Sequence, residues 1–223
     1  MIGIIAAMNS EYALFKSKGN ELFNDAKYKI IKSGIGPNAA ADAALNLINS
    51  GCDTIIGWGF AGGLAEKLKC GQVIIANRFV TKDAHYYSPT PLQQEFTKRL
   101  HSLNPIEGTI FAADRPILSA AEKQMLAARF SSIAVDMESL GIISVTKQRG
   151  VPYFSIRVIL DDSKTTLPTW ISHLLKEKKS IRKAILLSKQ IVKPIELYGL
   201  IKLAFSYKRA AKKLNQVSNL LAK

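Results

Sequence analysis

Cysteine is scarce in this chain: Cys52 and Cys70 are the two among 223 residues. Two thiols cannot staple a chain of this length. They also lack metal-ligand spacing, so the expected compartment is a reducing cytoplasm. Histidine is equally sparse: His85, His101 and His173 stand apart with neither HxxH nor HxxxH spacing, so no metal site is predicted. With 14 Gly and 8 Pro the chain has neither collagen-like nor low-complexity composition, and 48% hydrophobic residues exclude disorder. No run of 18 apolar residues occurs, so no transmembrane helix is expected. Residues 1–8 (MIGIIAAM) are apolar but lack a basic flank and are too short for a signal peptide; they are predicted to form a buried strand. Arginine is missing from the first 77 residues.

Positive charge is in excess. Lys and Arg number 31 against 17 Asp and Glu, a formal +14. Residues 173–223 hold 13 basic and 2 acidic residues, so they carry +11 and leave +3 for residues 1–172. The chain therefore divides, on charge, into a nearly neutral domain 1–172 and a basic, partly amphipathic helical segment 173–223. Such a segment suits nucleic acid, an anionic membrane surface or a solvated helix face.

Hydrophobic patterning predicts strands at 2–6, 27–33, 54–58, 72–76, 79–85, 108–113, 132–136 and 152–160. Between them it predicts helices near 10–18, 38–50, 92–103, 119–129 and 137–149. This alternation predicts an α/β sandwich with a substantially parallel sheet. In open α/β sheets ligands bind beyond the carboxyl ends of strands. Polar or glycine-rich groups follow apolar strands at 8–11, 57–63, 135–138 and 157–162. Glu11, Glu138 and Asp161 each lie just past a strand, where burial raises carboxyl pKa values and suits general acid and base work. The run Gly57, Gly59, Gly62 and Gly63 permits close approach of backbone to a ligand. Gly34-Ile35-Gly36 resembles half of a dinucleotide fingerprint, but Ala39 takes the third glycine position and the motif follows the second strand. A tight turn whose amides could face an anion fits better. No GxSxG elbow is present, and neither Cys sits beside a candidate base.

Taken in order, these pieces resemble the nucleoside phosphorylase and nucleosidase superfamily, in particular methylthioadenosine/S-adenosylhomocysteine nucleosidases. The resemblance is carried by 2–11, by 34–40 (GIGPNAA, one residue shorter than the family's form), by 59–64 (GFAGGL), by 135–139 (VDMES) and by 156–161 (IRVILD). One branch is closer: 112–121 (AADRPILSAA), then Glu122 and Lys123, and later 165–170 (TTLPTW) with a basic tail, resemble the hopanoid-associated phosphorylases, credited with removing adenine from adenosylhopane. The resemblance implies a three-layer α/β/α sandwich with a mixed, largely parallel central sheet, no cofactor, and a homodimer. It implies Asp161 as the acid that protonates the purine and Glu138 as the holder of the ribose hydroxyls. Glu11 and Arg157 would position the attacking oxygen, and Gly59, Phe60, Ala61, Gly62, Val135, Asp136 and Met137 would complete the substrate site.

Three departures stand out. Phe60 replaces a Ser in the glycine run, Leu160 replaces the Ser before Asp161, and Arg115-Pro116 replace a purine-stacking Phe. A greasier pocket suits a lipid-linked adenine nucleoside. Whether water or phosphate, a co-substrate in the second case, attacks stays open at this point: Glu11 suits water, and the branch name suits phosphate. In the tail, 181–193 is predicted as a basic amphipathic helix broken at Pro194, and 195–207 (IELYGLIKLAFSY) is apolar nearly all round. Its aromatics do not alternate with its charges as a nucleic-acid stacking platform would. An anionic membrane surface is therefore the expected partner of 173–223, with the protein cytoplasmic and peripheral at the inner membrane.

Overall fold

A strand without polar alternation belongs between two layers, and the first strand, Ile2–Ala6 (β1), is buried at all five positions. The structure is a computed structural model that describes residues 1–15, 27–172 and 194–221; the predicted helix 181–193 lies outside them. After β1 come α1 (Asn9–Ala13), β2 (Tyr28–Lys32), α2 (Pro37–Asn49), β3 (Thr54–Gly63), β4 (Val73–Val80), β5 (His85–Tyr87), α3 (Pro91–Arg99), β6 (Ile106–Ala112), α4 (Ala120–Phe130), β7 (Ala134–Asp136), α5 (Ser139–Arg149), β8 (Tyr153–Asp161) and α6 (Pro194–Leu221).

The eight strands form one mixed sheet. Pairs β1–β2, β1–β3, β3–β8, β4–β6 and β6–β7 are parallel, while β3–β7, β4–β5 and β4–β8 are antiparallel. Because β8 pairs with both β3 and β4, and β7 joins β6 to the end of β3, the sheet closes on itself. Its two faces are covered separately. Leu47 and the alanines of α2 pack with Ile142 and Ile143 of α5 over Ile5, Ile55 and Ile159. Phe96 of α3 and Leu214 and Val217 of α6 pack over Ile4, Trp58, Phe154 and Ile156. This is the expected three-layer arrangement. The two helices α2 and α5 cross so closely that a Cβ on Gly141 would lie 1.8 Å from the Pro37 carbonyl oxygen, which only glycine permits.

Three elements differ from the sequence expectation. The glycine run 59–63 is not a loop: it prolongs β3, because β8 runs alongside it through Ala61↔Ile159 and, past a bulge, Gly62↔Asp161. Expected strands 72–76 and 79–85 are one strand, β4, and a short β5, since β8, β6 and β5 all pair along the first of these. Helix α3 stops at Arg99, and a single 3₁₀ turn over His101–Leu103 follows, closed by Asn104 in the left-handed region.

The basic segment also changes character. Among the described residues a helix, α6, starts at Pro194, a first-turn position where the missing N–H costs nothing. Ala210, Leu214, Val217 and Leu221 recur on one side of α6 and are buried in the same core as β8. Each such burial of a large aliphatic side chain is worth about 1.5–3 kcal/mol. The described end of the basic segment thus shares one hydrophobic core with the sheet. On α6, Lys208, Arg209 and Lys212 are exposed.

Candidate active site

The chain leaves β1 at Ala6 and turns at once into α1, which aims the Glu11 side chain back under the strand end. There it is buried, at 2% exposure. Its Oε2 accepts from the Ala7 and Met8 amides at 2.9 and 2.8 Å, and its Oε1 from the Phe60 amide at 3.1 Å. Burial pushes the carboxyl up to about 7, with Glu138 adding to the rise and the amide bonds and Arg157 opposing it. The backbone of β3 lies directly against this carboxylate. A Cβ on Gly59, whose φ is +142°, would sit 2.2 Å from Glu11 Oε1. That contact accounts for the glycine at this position.

The turn from β7 to α5 supplies the second group. Asp136 accepts from the Ser139 amide at 3.0 Å, from Ser139 Oγ at 2.7 Å and from Arg157 Nε at 2.8 Å. Arg157 Nη2 lies 2.7 Å from the same Asp136 oxygen and 4.0 Å from Glu138 Oε2, and lacks an aligned acceptor of its own. Although burial works against its charge, Asp136 holds Arg157 protonated. Glu138 takes a hydrogen bond from the Gly36 amide at 3.1 Å. Burial raises its carboxyl, and Arg157 restrains the rise. The Gly34-Ile35-Gly36 turn thus faces an anion as its geometry allows, and that anion is the protein's own Glu138.

Asp161 ends β8, brought beside Gly62 by the β3–β8 register. It is 6% exposed and its carboxyl is raised by burial, opposed by Lys123. Lys123, on α4, is fully buried, and its ammonium pairs with Asp161 Oδ2 while donating to the Asp162 and Thr165 carbonyls at 3.0 and 2.7 Å. Sequence reading did not assign Lys123 a role. The signal was present: on α4 it stands three residues before buried Leu126, a lysine on the face that apolar residues should occupy.

Glu11, Glu138 and Asp161 meet at one cavity of about 180 Å³, lined as well by Phe60, Ala61, Gly62, Val135, Asp136 and Met137. Gly59 and Arg157, the other two expected residues, stand behind its wall, one against Glu11 and the other on Asp136. Arg115, Pro116, Ile117, Leu160, Met8 and Ile35 also line it, and Arg115 is ion-paired with Glu122. A larger hollow of about 460 Å³ between β5 and α5 has no carboxylate in its lining. Among the described residues no cluster of three His, Cys, Asp or Glu could hold a metal ion.

Residues 1–193 match the family model described as the phosphorylase superfamily. The chain is also similar to solved nucleosidase structures. It shares 19% identity and a TM-score of 0.66 with the Helicobacter pylori 5′-methylthioadenosine/S-adenosylhomocysteine nucleosidase bound to butyl-thio-DADMe-Immucillin-A, covering 97% of this chain and 96% of that one. The same figures hold for the futalosine hydrolase of H. pylori. For the Neisseria meningitidis 5′-methylthioadenosine/S-adenosylhomocysteine nucleosidase in complex with methylthio-immucillin-A, identity is 20%, TM-score 0.67 and coverage 98% of each chain. These likenesses show the fold. With the family model spanning most of its length, the chain belongs to the phosphorylase superfamily.

Proposed function

We propose that the protein cleaves the N-glycosidic bond of an adenine nucleoside, with water as the nucleophile, and releases adenine. The observation that carries this reading is the convergence of three buried carboxyls on one cavity whose nearby cations are already engaged. As the C1′–N9 bond breaks, its electron pair moves to the purine and Asp161 hands its proton to N7, so the base leaves neutral. General acid help of this kind is worth about 10²–10⁴-fold. Glu138 accepts from the ribose hydroxyls, and its charge favours the oxocarbenium-like transition state. Water adds to C1′ and its proton passes to Glu11. Solvent then carries a proton from Glu11 back to Asp161.

Water is favoured over phosphate by the state of the cations. A phosphate dianion calls for unengaged Arg, Lys or amide donors. Arg157 is charge-paired with Asp136 behind the cavity wall, though its Nη2 lacks an aligned acceptor, Lys123 is paired with Asp161 and Arg115 with Glu122, and Glu11 would repel an anion at the nucleophile position. Adenine release should therefore run undiminished in phosphate-free buffer, measured by mass spectrometry of the products. Strict dependence on phosphate would overturn the hydrolytic reading.

For the substrate we infer a lipid-linked adenine nucleoside such as adenosylhopane, the hopanoid-synthesis substrate its sequence resemblance implies. Met8, Phe60, Ile117 and Leu160 make the cavity wall apolar. Tyr207 of α6 packs edge-on against Phe60, 5.6 Å between ring centres, so α6 runs beside the cavity. Upstream of that contact Ile201 and Phe205 are 48% and 71% exposed. They share a helix face with exposed Lys208 and Lys212, an apolar and basic stripe suited to an anionic lipid surface. No helix among the described residues is long and apolar enough to cross a membrane. Vesicles containing phosphatidylglycerol should sediment the protein at physiological salt, and an Ile201→Ser/Phe205→Ser variant should stay in solution. Equal partitioning of the two proteins would remove this face as the contact. Turnover of methylthioadenosine but not of lipid-linked nucleosides would instead favour a methylthioadenosine/S-adenosylhomocysteine nucleosidase.

A further inference from the structure

We propose that Lys123 is a positioning residue for the acid step: its ammonium holds Asp161 at the cavity and stabilises the carboxylate that Asp161 becomes as its proton leaves for the purine. The inference rests on the adenine-releasing reading above and adds to it a residue on an element, α4, that the reading does not otherwise use. The observation behind it is the environment of the Lys123 ammonium. At 0% exposure it has three oxygen partners and no solvent. A buried lysine charge is costly unless it is paired, and of its three partners only Asp161 changes charge during the proposed reaction.

The direction of the effect follows from the charges around Asp161. Lys123 faces it from α4 and Asp162 from the end of its own strand. The Cys70 thiol faces it from the loop before β4, and Lys202 of α6 faces Asp162. Glu11 and Glu138 line the same cavity. Burial and the neighbouring Asp162 push the Asp161 carboxyl up, and Lys123 is the cation in direct contact that limits the rise. Without it Asp161 would keep its proton to higher pH but would be a weaker acid, since the carboxylate left behind would face no positive charge. Lys123 also ties down the turn after β8 through the Asp162 and Thr165 carbonyls. A purely structural role would show itself through that turn.

The two roles separate by leaving group. Adenine needs protonation to leave and p-nitrophenolate does not. Lys123→Met, of similar length and neutral, should lower adenine release from 5′-methylthioadenosine or adenosine by about tenfold or more while leaving hydrolysis of p-nitrophenyl riboside within about threefold. Infrared titration of the Asp161 carboxyl, assigned with Asp161→Asn, should show the acid form in Lys123→Met persisting at least about one pH unit above wild type. Lys123→Gln keeps a donor for the two carbonyls without the charge and should behave like Lys123→Met. Equal losses on both leaving groups, an unmoved titration, or wild-type behaviour of Lys123→Gln would overturn the role of Lys123. An Asp161→Asn variant that loses both leaving groups equally would instead overturn the acid step itself.

Discussion

Replacing Asp161 by Asn is expected to lower adenine release by about 10²–10⁴-fold, because the amide cannot hand a proton to the departing purine. The same change should cost stability. The amide cannot ionise beside Lys123, so the variant forgoes the buried ion pair open to the substrate-free protein, a loss on the order of 3 kcal/mol. The two losses have different remedies. Adding Lys123→Met to Asp161→Asn removes the orphaned charge, so the melting temperature should recover while the rate does not. Rates normalised to folded protein and melting curves for the single and double variants check both halves. Turnover of Asp161→Asn within a few-fold of wild type would show that the acid lies elsewhere.

Glu11→Gln should abolish hydrolysis for the complementary reason, the loss of the group that takes the proton from water. In the wild-type protein the required form of Glu11 is the carboxylate, so kcat/KM should fall about tenfold per pH unit below about 7, where its carboxyl titrates. Stability should run the other way. Burial raises the folded carboxyl from 4.5 to about 7, so folding favours the protonated form. That contribution is fully present below the unfolded value and is lost as pH rises through the folded one. Between pH 5 and pH 8 the loss amounts to roughly 2–3 kcal/mol, taking about 1.4 kcal/mol per pKa unit. Glu138 and Asp161 share the tendency, since burial raises both. The Glu11 component is the difference between wild type and Glu11→Gln, measured as urea midpoints at the two pH values. The glutamine amide meets one of the three backbone N–H groups donor to donor, an offset of about 1–3 kcal/mol that does not vary with pH. Parallel pH dependences in the two proteins would refute the assignment. Glu11, the proposed base, is thus held at a cost in stability near neutral pH.

How much of this was legible beforehand varies by element, and the reason is range. Strand β1, helix α2 with Pro37 at its start, helix α4 with its Ser119 cap and strand β8 are written in local periodicity and end signals. Such signals involve residues a few positions apart, so a linear reading catches them. The glycine run 59–63 misled that reading because glycine is a poor strand former by itself. Its extended path is imposed by β8 on one side and the Glu11 carboxylate on the other. Helix α6 was legible only in part: a segment apolar nearly all round does not say which side is buried, and Phe205 proves exposed while Ala210 and Leu214, further along, face the core.

The sequence by itself determined that Glu11, Glu138 and Asp161 stand at strand ends, that arginine is missing from the N-terminal third, and that positive charge gathers at the C-terminal end. It could not determine which charge meets which. Arg157 finds Asp136 across 21 residues and Lys123 finds Asp161 across 38. Those pairings depend on the register of a closed sheet and on the face that α4 turns inward. Only tertiary structure decided them, because a buried charge takes its partner from whatever the packing brings within reach of it.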